Sequence, residues 1–461
     1  MDSNIEMDTD TILEDADMEG DSSSEDEGGE ENVEKGVYLP GKPLEEDEEL
    51  ICDESAYVML HQAHTGAPCL SFDVIQDKLG ESRESFPMTA YIVAGTQAAK
   101  AHVNSVIVMK MSNLHRTSKE QNEDGEEEED DSDSDVDDDE DVDSIDKKKP
   151  KMECALIKHQ GCVNRIRTTN IGDQTIVASW SELGRVNIWN VTEQLDVVND
   201  VEMLKSYEKE AKGDLVKPTY TFSGHQEEGY GIDWSPTAPG VLASGDCRRD
   251  IHIWQPSEGG TWKVDQRPLI GHTESVEDLQ WSPNERNVLA SCSVDKTIRI
   301  WDCRAAPSKA CMLTCDNAHD SDINVISWNR NEPLIASGGD DGVLHIWDLR
   351  QFQSKTPVAS FKHHTNHITT VEWHPTDSTV LASGGADDQI AIWDLAVERD
   401  TEATSLSAPT DEGELNNLPP QLLFIHQGQT DVKELHWHKQ LPGVILSTAH
   451  SGFNVFKTIS V

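Results

Sequence analysis

The sequence predicts an all-β fold assembled from repeated small antiparallel sheets, and three observations predict it. Tryptophans close successive segments at a nearly fixed interval: Trp254, Trp301, Trp347 and Trp393 lie 47, 46 and 46 residues apart. In four segments a histidine stands nine residues before an inner tryptophan, as His225 before Trp234, His272 before Trp281, His319 before Trp328 and His364 before Trp373. Chance does not hold such a frame. Within each segment, short alternating runs such as VLASC and TIRIW are separated by Gly, Asp, Asn and Pro, the pattern of strands joined by tight turns.

Three segments show the pattern in full: GHTESVEDLQWSPNERNVLASCSVDKTIRIWD from Gly271, AHDSDINVISWNRNEPLIASGGDDGVLHIWD from Ala318 and HHTNHITTVEWHPTDSTVLASGGADDQIAIWD from His363. They resemble the WD repeat, and the resemblance implies a β-propeller of four-stranded blades. Each carries the four residues of the family's buried hydrogen-bond set. These are His272, Ser291, Asp295 and Trp301; His319, Ser337, Asp341 and Trp347; and His364, Ser383, Asp387 and Trp393. A buried imidazole and a buried indole each need a partner, which Ser and Asp supply. A single His, Ser and Asp would suggest a hydrolase triad; threefold repetition makes the role structural.

Other units are weaker. GDCRRDIHIW has Arg248 where the turn aspartate belongs, the unit from His159 to Trp189 has Leu183 there, and the last unit ends on Phe456. That makes six units after Lys151, with one more expected upstream. Blade one is expected to use Pro87 to Leu114 plus CALIK, Cys154 to Lys158. CLSFDVI, Cys69 to Ile75, is expected to be the outer strand of blade seven, joining the chain ends and leaving no long sheet edge open. From Asp53 to His64, Tyr57, Leu60 and His61 recur at helical spacing, which predicts an α-helix. The expected organisation is therefore an acidic tail over 1–49, an N-terminal helix within 50–66, and a seven-bladed propeller over 67–461 with an acidic loop, 116–150, inserted in blade one.

The formal net charge is -50, unevenly spread. Met1 to Glu49 holds 20 acidic residues against Lys35 and Lys42, and Glu120 to Asp146 holds 18 with no base. Such segments cannot bury enough apolar surface to offset their ordering entropy, so both are expected to be disordered. The densest run includes Glu126, Glu127, Glu128, Glu129, Asp130, Asp131, Asp137, Asp138 and Asp139, and is the expected contact for a cationic client. Polyanions repel one another, which argues against direct nucleic acid binding and for a basic protein partner. Ser22, Ser23 and Ser24 before acids, and Ser132 and Ser134 among them, suit an acid-directed kinase. DKKKPK, Asp146 to Lys151, resembles a nuclear localisation signal.

The nine cysteines show no disulfide framework, which suits a reducing compartment. Cys303, Cys311, Cys315 and His319 could be read as a zinc site, but they fall across a predicted strand and loop of one repeat. No apolar run approaches the ~20 residues of a membrane span, and the acidic start does not suit a secretory signal. The expectation is a soluble, intracellular monomer without cofactor or metal.

In the phase of the repeat, the acidic run falls between the third and fourth strands of blade one. Val191 to Lys217 takes the same turn in blade two and Ala396 to Gln421 in blade six. Turns of one type emerge on one face of the disc, so the three longest insertions should crowd together.

AYVMLHQAHTGAPCLSFDVI, AGTQAAKAHVNSVIVMKMSNLH, GDCRRDIHIW and LHWHKQLPGVILSTAHSGFNVFKTISV resemble the glutamate-rich WD-repeat group, related to the retinoblastoma-binding histone chaperones. The resemblance covers about Glu45 to Val461. In the relatives an N-terminal helix and a proline-containing blade-six loop clasp a basic histone helix. The positions matching that clasp are Glu54, Tyr57, Leu60 and His61, with Asp411, Glu412, Glu414, Leu415, Pro419 and Pro420. DEGELNNLPP is longer between its acids and prolines than the DGPP-like pattern of those chaperones. The resemblance further implies a nuclear and nucleolar chaperone, with a cytoplasmic pool, of a newly made large-subunit ribosomal protein or of core histones.

Nothing resembles a phosphate-binding glycine loop, and the repeat explains the histidines, so no enzyme is expected. A second reading rests on WDCR, ending at Arg304, and WDLR, ending at Arg350, which match the WDxR pattern of substrate receptors that dock on a cullin-ring ubiquitin ligase adaptor.

Overall fold

A computed structural model describes residues 6–8, 51–117, 149–398 and 418–461. Seven antiparallel sheets follow one another along the chain, each with its first strand innermost. Blade one comprises Cys69–Val74, Met88–Thr96, Ser105–Leu114 and Lys151–Lys158; blade two Val163–Ile171, Gln174–Ser181, Arg185–Asn190 and Tyr220–Phe222. Blade three runs from Gly231–Trp234 to Thr261–Val264, blade four from Val276–Trp281 to Cys311–Cys315, blade five from Ile323–Trp328 to Ala359–Lys362, and blade six from Ile368–Trp373 to Leu422–His426. Blade seven takes Val432–Trp437, Val444–Ala449 and Gly452–Thr458 from the end of the chain and Tyr57–His64 from its beginning, with Glu6–Asp8 pairing outside that.

Two expectations change here. The segment expected to be an N-terminal α-helix is a short 3-10 turn, Glu54–Ala56, followed by the strand Tyr57–His64. Its Tyr57 and Leu60 pack toward blade six and its Met59 and Ala63 toward blade one, with a register shift between Tyr57 and Met59, so the strand is buried on both faces. Correspondingly, Cys69–Val74 is the innermost strand of blade one and not the outer strand of blade seven; Tyr57–His64 closes the ring by pairing Tyr57 with Thr458 and Leu60 with Phe456.

The ring coheres through one apolar cluster per gap between neighbouring blades. Trp180, Phe222, Trp234 and Trp254 fill the gap between blades two and three, for example, and Tyr57, Leu435, Trp437 and Phe456 that between six and seven. A hydrogen-bond relay crosses most of the same gaps near the axis. Asp73 accepts from the Thr168 amide (2.7 Å), Asp233 from Trp281 (2.7 Å), Gln280 from Trp328, Ser327 from Trp373 (3.2 Å) and Glu372 from Trp437 (3.1 Å). His436 Nε2–H donates to the Phe72 carbonyl at 3.0 Å, bridging blade seven to blade one.

The three predicted insertions all follow the third strand of their blade, leaving after Leu114, Asn190 and Asp394 and returning at Lys151, Tyr220 and Leu422. Third strands run alike in every blade, so these turns share one face, and blades six, seven, one and two are consecutive around the ring. In blade two the insertion forms helices Thr192–Val197 and Val201–Lys209, which fold back onto blade one: Tyr207 OH donates to the Leu156 carbonyl at 3.0 Å and Tyr91 OH to Asn199 Oδ1 at 2.7 Å.

Candidate protein-interaction face

The hydrogen-bond sets expected in blades four to six are all present. Trp301 Nε1–H donates to Ser291 Oγ (2.8 Å), Ser291 Oγ lies 2.6 Å from His272 Nε2, and His272 Nδ1 lies 2.9 Å from Asp295. The corresponding distances are 2.8, 2.7 and 3.0 Å for Trp347, Ser337, His319 and Asp341, and 2.9, 2.8 and 3.0 Å for Trp393, Ser383, His364 and Asp387. The serines are fully buried and already accept from indole, so these sets tie strands together and present nothing to a substrate. Blade three has a complete set that the sequence pattern hid. Asp246, two residues before Arg248, meets His225 Nδ1 at 2.7 Å, with Ser244 between His225 and Trp254.

In blade seven Gln429 takes the histidine's place and accepts from the buried Ser447 hydroxyl, while His426, at the end of the outer strand of blade six, has partners of its own. Burial holds His426 neutral, its pKa pushed down to about 3. Its Nδ1 lies 2.8 Å from Tyr57 OH, and its Nε2 lies 3.0 Å from Asn454 Nδ2. The Tyr57 ring meets Phe424 and Phe456 edge-on and is 5% exposed. Of the four N-terminal positions matched to the histone clasp, Tyr57 is therefore core. Leu60 is partly buried in the same cluster, and His61 hydrogen-bonds the His115 carbonyl at 2.9 Å with its pKa lowered by burial. Glu54 is exposed on its turn, which Asp53 caps by accepting from Ser55. Pro419 and Pro420 are half-buried at the head of the outer strand of blade six, where the Pro419 carbonyl accepts from Leu422 at 3.0 Å.

Asp411, Glu412, Glu414 and Leu415 lie outside the described residues, as do the acidic run from Glu126 to Asp139 and the serines Ser22, Ser23, Ser24, Ser132 and Ser134. The described stubs nevertheless locate their roots. Asn113 Nδ2–H donates to the Lys149 carbonyl at 2.6 Å, closing the base of the blade-one insertion, and Gln421 Nε2–H donates to Val397 at 2.9 Å, closing that of blade six. Blade seven stands between these two roots, and the chain from residue 51 reaches its closing strand at the same end, where Tyr57 pairs with Thr458 at the end of the third strand.

Arg304 and Arg350 each point into solvent with a guanidinium braced on the aspartate two residues before it, at 2.7 Å from Asp302 and 2.8 Å from Asp348. Among the described residues no group of three or more His, Cys, Asp or Glu is arranged to hold a metal ion. Cys315 is a core residue and Cys303 packs at the edge of a neighbouring cluster. No described helix is long and apolar enough to cross a membrane.

A charged cluster near the axis was not anticipated. Glu434 Oε1 takes Arg165 at 2.8 Å and Arg167 at 2.7 Å, while its Oε2 takes Ser71 Oγ at 2.6 Å and the Phe72 amide at 2.8 Å. His436 sits 2.9 Å from Glu372 and 3.8 Å from Glu434. Burial opposes its charge, but the two carboxylates prevail and push its pKa up to about 10.

Residues 47–115 match the family of the histone-binding protein RBBP4 and its counterpart in the CAF1 complex, and residues 264–302, 309–348 and 355–394 match the WD domain, G-beta repeat. The chain is 45% identical to the Arabidopsis thaliana protein HEAT STRESS TOLERANT DWD 1 over 92% of each chain. It is 42% identical to the Schizosaccharomyces pombe ribosome assembly protein rrb1 over 96% of this chain and 89% of that one. It is 45% identical to the Dictyostelium discoideum glutamate-rich WD repeat-containing protein 1 over 93% of this chain and 86% of that one. Full-length likeness, seven blades and the acidic insertions agree: the chain belongs to the family of glutamate-rich WD-repeat propeller proteins.

Proposed function

We propose that this chain is a chaperone and scaffold for strongly basic proteins, binding a newly made large-subunit ribosomal protein, core histones, or both, on the face where its insertions emerge. It acts in the nucleus and nucleolus, with the basic run Asp146 to Lys151 as its import signal, and performs no chemistry of its own.

The observation that carries this reading is the position of the described roots: those of the blade-one and blade-six insertions flank blade seven, whose closing strand Tyr57–His64 follows the start of the described chain at residue 51. Stretched to about 3.4 Å per residue, Glu120 to Asp146 bears a charge roughly every 5 Å, against about 3.4 Å along a nucleic acid strand. A cationic protein that binds nucleic acid finds in it a comparable line of charge, while the folded edge supplies shape. Phosphates on Ser132 and Ser134 would deepen that charge.

The test is to delete Glu120 to Asp146 and titrate H3–H4 histones or a basic ribosomal protein at several salt concentrations. Affinity should fall at low salt and its salt dependence should flatten. An unchanged affinity and slope would remove the acidic segment from the function.

A further inference from the structure

The blade-two insertion carries a groove between its two helices. Helix Thr192–Val197 contributes Glu193 and Val197, helix Val201–Lys209 contributes Glu202 and Met203, and Asp200 and Lys212 complete the lining. The cavity measures about 330 Å³, at the lower end for a ligand cleft and less than one turn of helix, roughly 10 Å across and 5.4 Å tall, would fill. It therefore takes side chains of a passing segment and not a whole element. Its apolar lining is the buried Val197 with Met203, which is 44% exposed, and Val201 between two lining carboxylates is 60% exposed. Lys212 is already paired with Glu210 at 3.4 Å. Glu202 meets Lys205 at 3.3 Å, but both side chains are largely exposed, so a partner's base can replace that lysine at little cost. The platform is fixed to blade one by Tyr207 on the Leu156 carbonyl and by Asn199 on Tyr91, which lowers the ordering cost of binding.

We infer that this groove docks a cationic segment of the client protein, an apolar side chain resting on Val197 and Met203 and flanking lysines or arginines meeting Glu193, Asp200 and Glu202. Charge complementarity decides the occupant. A neutral segment would strip water from three carboxylates and return nothing, and an acidic one would be repelled. A basic segment with an apolar residue satisfies both parts of the lining. The site rests on the proposed function for the class of its ligand and deepens it by naming where one segment of that ligand seats.

The experiment uses the full chain with Met203→Ser, with Glu193→Gln and Glu202→Gln together, and, as a control, with Glu208→Gln and Asp214→Asn together, exposed on the same insertion but outside the groove. Asp200 is left alone because it caps its helix by accepting from the Glu202 and Met203 amides. All five changed positions are exposed, so Tm should hold within about 1 °C. Affinity for H3–H4 histones should fall about 3- to 10-fold in the groove pair and about 3-fold in Met203→Ser, and stay within about twofold in the control pair. Polylysine, which brings charge without a purely apolar side chain, should bind Met203→Ser within about twofold of wild type. Unchanged histone affinity in either groove variant, equal weakening by groove and control pairs, or a wild type that binds polylysine but not histones would overturn the groove while leaving the proposed function standing. A wild-type dimer that Met203→Ser disperses would assign the groove to a second copy and overturn it likewise. A wild-type chain that ignores both histones and polylysine would overturn groove and proposed function together.

Discussion

Replacing Glu434 with Gln should destabilise the propeller more than any other change of one atom type on its axis. The carboxylate is 2% exposed and has four partners: Arg165 and Arg167 of blade two on one oxygen, Ser71 and the Phe72 amide of blade one on the other. One side chain of blade seven therefore holds the next two blades. Gln keeps the size, but its NH2 must face either the guanidiniums or the Ser71 and Phe72 donors, and either choice sets donor against donor. Breaking one member of a buried ion pair costs about 3–5 kcal/mol. The lower end applies because Arg165 and Arg167 retain side-chain exposures of 12% and 17%. With an unfolding entropy of ~2.1 cal/mol/K per residue over roughly 360 described residues, about 3 kcal/mol lowers Tm by about 4 °C.

The pH dependence gives this prediction its sharper test. Burial pushes the Glu434 carboxyl up, but Arg167, Arg165 and His436 outweigh it and hold the group well below the usual carboxylate range. A depressed carboxyl contributes stability above its unfolded pKa, near 4.5, and loses it as pH falls through the folded value. His436 has the opposite sign: raised to about 10 from 6.5, it contributes fully below pH 6.5 and loses the contribution as pH climbs toward 10. Thermal unfolding across pH 3 to 10 should show the Gln variant lower by a constant amount from pH 5 to 6.5, with the gap narrowing in acid. Because the variant removes one of the two carboxylates at His436, its alkaline decline should start from the same pH, near 6.5, but be complete at a lower pH than that of the wild type, so the gap also narrows toward pH 10. A Tm within 1 °C of wild type at pH 6, or a gap undiminished at pH 3, would refute the reasoning.

Three further outcomes follow from particular groups. Burial, with Asp278 nearby, outweighs the Trp281 amide and Arg167 and pushes the Asp233 carboxyl up to about 7, so its charge costs stability as pH rises from about 4 to 7; Asp233→Asn keeps an acceptor for Trp281 and should stabilise by on the order of 1–3 kcal/mol at pH 8, by about a third of that at pH 5 and not at all at pH 4, as thermal scans at the three pH values will show. Tyr57→Phe strands the ring nitrogen of His426 and should cost about 1–2 kcal/mol while leaving histone affinity within twofold, a titration that separates core from contact. Arg304→Ala with Arg350→Ala removes two exposed ion pairs and should leave Tm unchanged within about 1 °C; the ligase reading requires this variant to lose adaptor capture in a pull-down while still binding the basic ligand.

The parts legible in the sequence are those the chain repeats. His272, His319 and His364 could be assigned structural roles because each has the same Ser, Asp and Trp at nearly the same offsets. Asp246 escaped because it stands two residues early, accepting from the Arg248 and Asp250 amides while it meets His225; a template matched by offset finds Arg248 instead. In YVMLHQAH, Tyr57, Leu60 and His61 suit a helix, and the strand it forms is buried on both faces, Tyr57 and Leu60 toward blade six and Met59 and Ala63 toward blade one, with a register shift after Tyr57 that breaks the simple alternation. What decides is a partner strand at the far end of the chain, and no local window contains it. The axial cluster is illegible for the same reason. VNRIRTTNI reads as a strand with solvent-facing arginines until ring closure brings Glu434 to Arg165 and Arg167.

The clustering of insertions also bears on how a ligand can be held. An outer propeller strand offers unpaired backbone groups, and strand addition is the usual way such an edge recruits a partner. Around the acidic root both neighbouring edges are already engaged. On blade one, the Leu156 carbonyl accepts from Tyr207 and lies so close to Gly213 that a Cβ there would sit 1.9 Å from it. Gly213 is thus the residue that lets the blade-two insertion cover this edge. On blade seven, Thr117 takes Val58 and Leu60, and Glu6–Asp8 pairs with Gln62 to His64. A ligand arriving at this face meets side chains and charge in place of open backbone. Recognition there should be strongly salt-dependent and tolerant of ligand secondary structure, whereas binding by strand addition would demand an extended segment and persist at high salt.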